Sequence, residues 1–175
     1  PTLPSGHQDA QSMSVHPSFQ LNGFIHLTIR ETEAPYGGGA SHDPNIAAFR
    51  FFSYRDPRLV ETLDDFDASI IWLLETQHEQ LALEEAILSV MASLDKPGSP
   101  AGEAKRDFHE RLFGRTAEHR RILRAGIVST TLDDLRRVAE TYLQPELAST
   151  AVVTHTAGAD IVAERQLLLT RQDLL

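Results

Sequence analysis

Arg30 and Tyr36 frame a short polar segment that runs directly into Gly37-Gly38-Gly39. A guanidinium and a phenol both donate hydrogen bonds, so together they can grip a peptide carbonyl held between them. Donors aimed at a carbonyl that becomes an oxyanion lower a hydrolysis barrier by several kcal/mol. Three consecutive glycines leave a stretch of backbone without side chains, against which another extended chain can lie by strand addition. Each group also has a purely structural use. Arg30 at a helix C-terminus complements the helix dipole, Tyr36 suits a core position, and the glycines suit a flexible or closely apposed strand.

Other chemistries find no purchase. Eight histidines are present, but His26, His42, His78, His109, His119 and His155 are scattered, with no i, i+4 pair on one helix. Neither H-E-x-x-H nor H-x-x-E-H occurs: His78-Glu79 runs on into Gln80-Leu81-Ala82, and His109-Glu110 into Arg111-Leu112-Phe113. The histidines read as surface or satisfied packing residues, and no metal site is expected. There is no G-x-S-x-G elbow, and the triple glycine is not followed by the lysine and hydroxyl of a P-loop. Asp64, Asp65 and Asp67, like Glu84-Glu85, read as solvated helix faces.

The elements that must position Arg30, Tyr36 and the glycines follow from periodicity. Residues 1–15 hold Pro, Ser, Gly, Gln and Asp and are expected to form an irregular lead-in, leaving 16–175 as the domain proper. Phe19, Leu21, Phe24, Ile25, Leu27 and Ile29 predict an amphipathic helix that opens with Pro17 in its first turn and ends before Pro35. Gly23 inside it costs about 1 kcal/mol relative to alanine, which marks close packing. Tyr36–Ser41 and Ile46–Tyr54 predict two strands about the turn His42-Asp43-Pro44-Asn45. Residues 57–76 carry Leu59, Leu63, Phe66, Ile70 and Leu73 at helical spacing.

Four further helices are expected. One carries Leu83, Ile87, Val90 and Leu94 and is stopped by Pro97; another starts at Ser99-Pro100. A third carries Ile122, Leu123 and Ile127, and the last is announced by Thr131 with Asp134 three residues on. Thr150–Thr154 predicts a short buried strand, and Gln166–Leu169 another strand or a docked turn. The expected class is α+β: a mixed, mostly antiparallel sheet with helices packed on one face.

Composition narrows the function. With 175 residues, 41% of them hydrophobic and 23% charged, the chain can bury one core. A formal charge of −9 disfavours phosphate neutralisation, so nucleic acid is not an expected partner. No apolar run approaches membrane-spanning length, and no membrane partner is expected. Cysteine is absent, which excludes disulfides and thiolate metal sites. Arg supplies nearly all the positive charge, with only Lys96 and Lys105 besides, which suggests a bacterial gene and a cytoplasmic protein.

Several motifs together resemble the last domain of the presequence proteases, a branch of the pitrilysin/insulinase superfamily of zinc peptidases. They are Phe24-Ile25-His26, Ile29-Arg30-Glu31, Tyr36-Gly37-Gly38-Gly39-Ala40 and Phe52-Ser53-Tyr54-Arg55-Asp56-Pro57. Glu61-Thr62-Leu63 with Phe66, Glu84 to Val90, and Leu94-Asp95-Lys96-Pro97 continue the likeness, which runs from about Asn22 to Leu143. The resemblance implies a metallohydrolase-like domain, truncated at its N-terminus, that closes over a peptide. It implies a zinc endopeptidase of short unfolded peptides, with the zinc site in the N-terminal half of the parent polypeptide and no cofactor in this fragment. It places the substrate-contacting arginine and tyrosine of the family on Arg30 and Tyr36, with Gly37, Gly38 and Gly39 as substrate-binding backbone. Such a fragment is expected to be inactive alone, and a eukaryotic source would place it in an organelle matrix. The alternative is a non-catalytic relative that acts as a scaffold or peptide-binding subunit.

Overall fold

The computed structural model describes residues 7–25, 28, 37–44 and 46–155. In chain order these form α1 (Ala10–Gln20), a π-helical turn (Leu21–Ile25), β1 (Gly37–Asp43), β2 (Ala48–Tyr54) and α2 (Leu59–Glu75). There follow α3 (Gln80–Asp95), α4 (Pro100–Leu112), α5 (Ala117–Val128), α6 (Leu132–Tyr142) and a 3-10 turn (Pro145–Leu147). The class is α+β. The described sheet is a two-stranded antiparallel hairpin, and no mixed sheet forms among the described residues.

The helix boundaries follow local chemistry. Ser99 caps α4 by accepting the Gly102 N–H, with Pro100 in the first turn. Thr116 with His119, and Thr131 with Asp134, each form a reciprocal capping box at the starts of α5 and α6. The helix expected over 57–76 is α2, and Phe66, Ile70 and Leu73 lie on its buried face.

Helix α1 sits at the centre. It packs against β1, α3, α5 and α6, and inserts Met13, Val15 and Phe19 between Leu73, Leu83, Ile127, Leu135 and Val138. A satellite cluster under the hairpin joins Ile25 to Phe66, with Phe51 stacked on Phe66 at 5.1 Å. Gly23 does mark a close approach. A Cβ there would lie 2.3 Å from Cη2 of Trp72, so the indole fills the space a side chain would need.

Two expectations are corrected. The helix begins at Ala10, inside the stretch expected to be irregular, and Pro17 lies in its interior rather than its first turn. The segment looks polar because Asp9, Ser12, His16 and Gln20 recur at helical spacing, yet all four are buried. The segment 150–154 forms no strand: it has no ladder partner among the described residues, and Val153 is 85% exposed. Apolar β-branched residues favour a strand only where a neighbouring edge is there to pair with them. Gln166–Leu169 lies outside the described residues.

Candidate functional site

The hairpin carries the glycines, and its register fixes what surrounds them. Gly37 pairs with Tyr54, Gly38 with Ser53, Gly39 with Phe52, Ala40 with Phe51 and His42 with Phe49. Successive residues of a strand point to opposite faces. Phe49 and Phe51 pack against the core, while Arg50, Phe52 and Tyr54 are exposed on the other face. Gly37 and Gly39 therefore lie directly across from the two exposed rings.

The glycines are not equivalent. A Cβ on Gly39 would stand 3.4 Å from the Phe52 ring and 3.6 Å from Leu21, and this glycine is buried. A Cβ on Gly37 would meet nothing within 4 Å. The open part of the strand is therefore its Gly37 end, next in sequence to Tyr36. Arg30 and Tyr36 themselves lie outside the described residues.

A short network holds the far side of that end. Asp56, just after β2, accepts the Ser53 hydroxyl at 2.5 Å, the Thr62 hydroxyl at 2.6 Å and the Arg58 N–H at 2.9 Å. Burial pushes the Asp56 carboxyl up, but these hydrogen bonds outweigh it and hold the carboxyl below its ordinary value. Arg58 pairs with Asp65 at 2.6 Å and donates to the Thr28 carbonyl at 3.3 Å. Between Tyr54 and Asp56, Arg55 takes a left-handed backbone with φ of 53°. Its guanidinium stands 5.3 Å from the centroid of the Tyr54 ring.

On the core face, His42 shares a hydrogen bond with Ser14 at 3.1 Å, and burial lowers its pKa. Beneath it His16 is fully buried and edge-on to Phe49. Burial drives the His16 pKa down to about 3; the Leu135 backbone favours its proton, and His42 opposes it. Among the described residues neither ring nitrogen of His16 has a hydrogen-bond partner, and the Gln20 amide is likewise unpartnered there. Leu135 thus lies near the ring without hydrogen-bonding geometry.

This corrects the expectation that the histidines are surface or satisfied residues: His16 is neither. His78 does fit it, with Nε2 3.0 Å from the Leu73 carbonyl. Of the carboxylates read as a solvated face, Asp65 is instead half-buried in its ion pair with Arg58. The role of Asp56 was available from sequence, because an aspartate shortly before a helical run is a helix-start signal. Nothing in the sequence announces the left-handed Arg55.

Among the described residues, no three His, Asp or Glu side chains converge to hold a metal ion. These described residues do not fit a zinc centre.

Comparison with known proteins places the chain in context. The family described as the PreP C-terminal domain matches residues 3–157. The mitochondrial presequence protease of Yarrowia lipolytica is 33% identical over 143 residues, covering 82% of this chain and 14% of that protein. Its namesake in Eremothecium gossypii is 36% identical over 138 residues (78% of this chain, 14% of that protein). The Mus musculus protein is 31% identical over 142 residues, or 81% and 13%. The chain thus spans about one seventh of the length of these curated relatives.

Proposed function

Since this chain belongs to the family of presequence protease C-terminal domains, we propose that it is the C-terminal, substrate-enclosing portion of a zinc-dependent endopeptidase of short unfolded peptides. Its partners are the peptide and the N-terminal half of the same polypeptide, where the zinc ligands lie. The domain comprises residues 16–175 together with the earlier turns of α1.

In this reading Arg30 and Tyr36 donate hydrogen bonds to the carbonyl under attack. Two donors fixed in place favour the oxyanion over the ground-state carbonyl, because negative charge strengthens both bonds as it develops. Glycine backbone beside them lets the peptide main chain approach without a side chain in the way.

The observation that carries the reading is the hairpin register. It leaves Gly37 open across from the exposed Tyr54 ring, and Gly37 directly follows Tyr36. The family match, which spans both Arg30 and Tyr36, supports it. The relatives bear "mitochondrial" in their names, which supports an organelle matrix. The bacterial cytoplasm expected from the arginine-rich composition has no support among them.

The test is peptide turnover by the full-length parent carrying Arg30→Ala or Tyr36→Phe. Each is expected to lower kcat by about 10²–10³, the loss typical of one oxyanion donor. Unchanged turnover in both variants would remove the site assignment.

A further inference from the structure

Arg55 occupies a backbone conformation that disfavours it. With φ at 53° it lies in the left-handed region, which a residue with a Cβ enters at a cost and glycine does not. Among the described residues the other left-handed one with a Cβ is Ala47, which belongs to the hairpin turn, where such a conformation is ordinary. Arg55 has no such excuse, since it stands where β2 gives way to α2. Side chains kept in unfavourable backbone conformations gather where function requires their direction.

The surroundings fix that direction. The Asp56 bonds from Ser53, Arg58 and Thr62 lock the corner immediately after Arg55. The Tyr54 ring, 59% exposed, lies beneath the guanidinium at cation–π distance. Tyr54 pairs with Gly37, so the corner stands beside the open end of the glycine strand. A guanidinium carries five N–H donors, so Arg55 can hold a partner within the protein and still offer a donor to an oxygen acceptor.

We propose that Tyr54 and Arg55 form a peptide-positioning corner of the site. The Tyr54 ring supports an extended peptide alongside Gly37, and Arg55 donates to an acceptor oxygen of that peptide, either a main-chain carbonyl or the terminal carboxylate. The proposal rests on the peptidase reading above and adds two substrate-positioning residues to it.

The experiment uses the full-length parent with an internally quenched, unstructured peptide, as the free acid and as the C-terminal amide. Arg55→Gly removes the guanidinium while accepting the left-handed backbone, so the melting temperature holds or rises. KM is expected to rise about tenfold with kcat within about twofold, the loss of one charge-assisted hydrogen bond. Arg55→Lys recovers part of the loss, because it keeps the charge without the planar fork. An equal rise for both peptides identifies a main-chain carbonyl as the acceptor, and a rise confined to the free acid identifies the terminal carboxylate. KM unchanged for both peptides overturns the proposal, whether or not the melting temperature falls. Arg30→Ala, assayed in parallel, separates the two ideas. If it too leaves turnover intact, the placement of the site on Arg30 has failed as well; if kcat falls about 10²–10³ in Arg30→Ala while Arg55→Gly leaves KM unchanged, only the Arg55 assignment has failed.

Discussion

His16 makes the stability of this protein depend on pH in a direction that can be stated. Its folded pKa is about 3 against an ordinary 6.5, so the unfolded chain takes up a proton that the folded one refuses. Stability rises with pH wherever the unfolded state binds more protons, and His16 therefore withdraws stability as pH falls from 6.5 toward 3. Between pH 6.5 and 5 the loss approaches about 2 kcal/mol, at 1.36 kcal/mol per pH unit. His42, also lowered by burial, acts with the same sign. Asp9 is held low by Arg137 and Tyr142 against the opposing effect of burial, and Asp56 by its hydroxyl donors. Both lose their stabilising contribution only further down, as pH falls below the ordinary carboxylate range. His16→Leu is expected to flatten the upper part of the profile. It also removes two unpartnered ring nitrogens, so stability near pH 7 holds or improves. Thermal melts of both proteins from pH 7.5 to 5 make the comparison, and parallel curves would show that His16 is not the titrating group.

Where α1 gives way to its π-helical turn, Gly23 lets the Trp72 indole of α2 come close. An added methyl would stand 2.3 Å and 2.8 Å from two indole atoms, and the ring also contacts Phe19, Phe24 and His78. Gly23→Ala is therefore expected to destabilise by about 1–3 kcal/mol as overpacking, despite alanine's better helix propensity. A melting temperature lowered by about 2–4 °C per kcal/mol is the readout. That glycine was legible in the sequence because it interrupts an apolar run, and the hairpin because two short runs flank a Pro-Asn turn. The start of α1 was not. Its buried face mixes Met13, Val15 and Phe19 with Asp9, Ser12, His16 and Gln20, so the apolar period is broken by polar side chains. The 150–154 strand misled in the opposite sense, because β-propensity speaks to one strand and pairing requires two. In the site, Gly37–Gly39 were visible as composition. The corner at Tyr54–Asp56 depends on a backbone angle and on long-range register, which residue types alone do not carry.

The burial of the chain is uneven, and that sets where substitutions are felt. Helix α1 touches β1, α3, α5 and α6, so its apolar side chains join most of the core. Helix α4 contributes no buried residue: Phe108 is 64% and Leu112 65% exposed, and its Glu110 reaches Arg120 of α5 at 3.3 Å. Apolar burial stabilises in proportion to the area removed from water, so the two helices contribute very differently despite similar lengths. Phe19→Ala, at 2% exposure between Trp72 and His78, deletes a ring from close-packed surroundings and is expected to cost about 3–5 kcal/mol. The paired change Phe108→Ser and Leu112→Ser on α4 is expected to stay within about 0.5 kcal/mol, as surface substitutions do. Urea unfolding of both variants in the 175-residue chain measures the contrast. Equal losses would mean that α4 is buried in solution by a contact absent from this arrangement; a small loss for Phe19→Ala would mean that α1 does not close the core. The proposed peptide site sits on the well-buried side of this asymmetry, where β1 and the end of β2 are fastened to α1 and α2. Groups that must meet a transition state within a fraction of an ångström are best held by such elements.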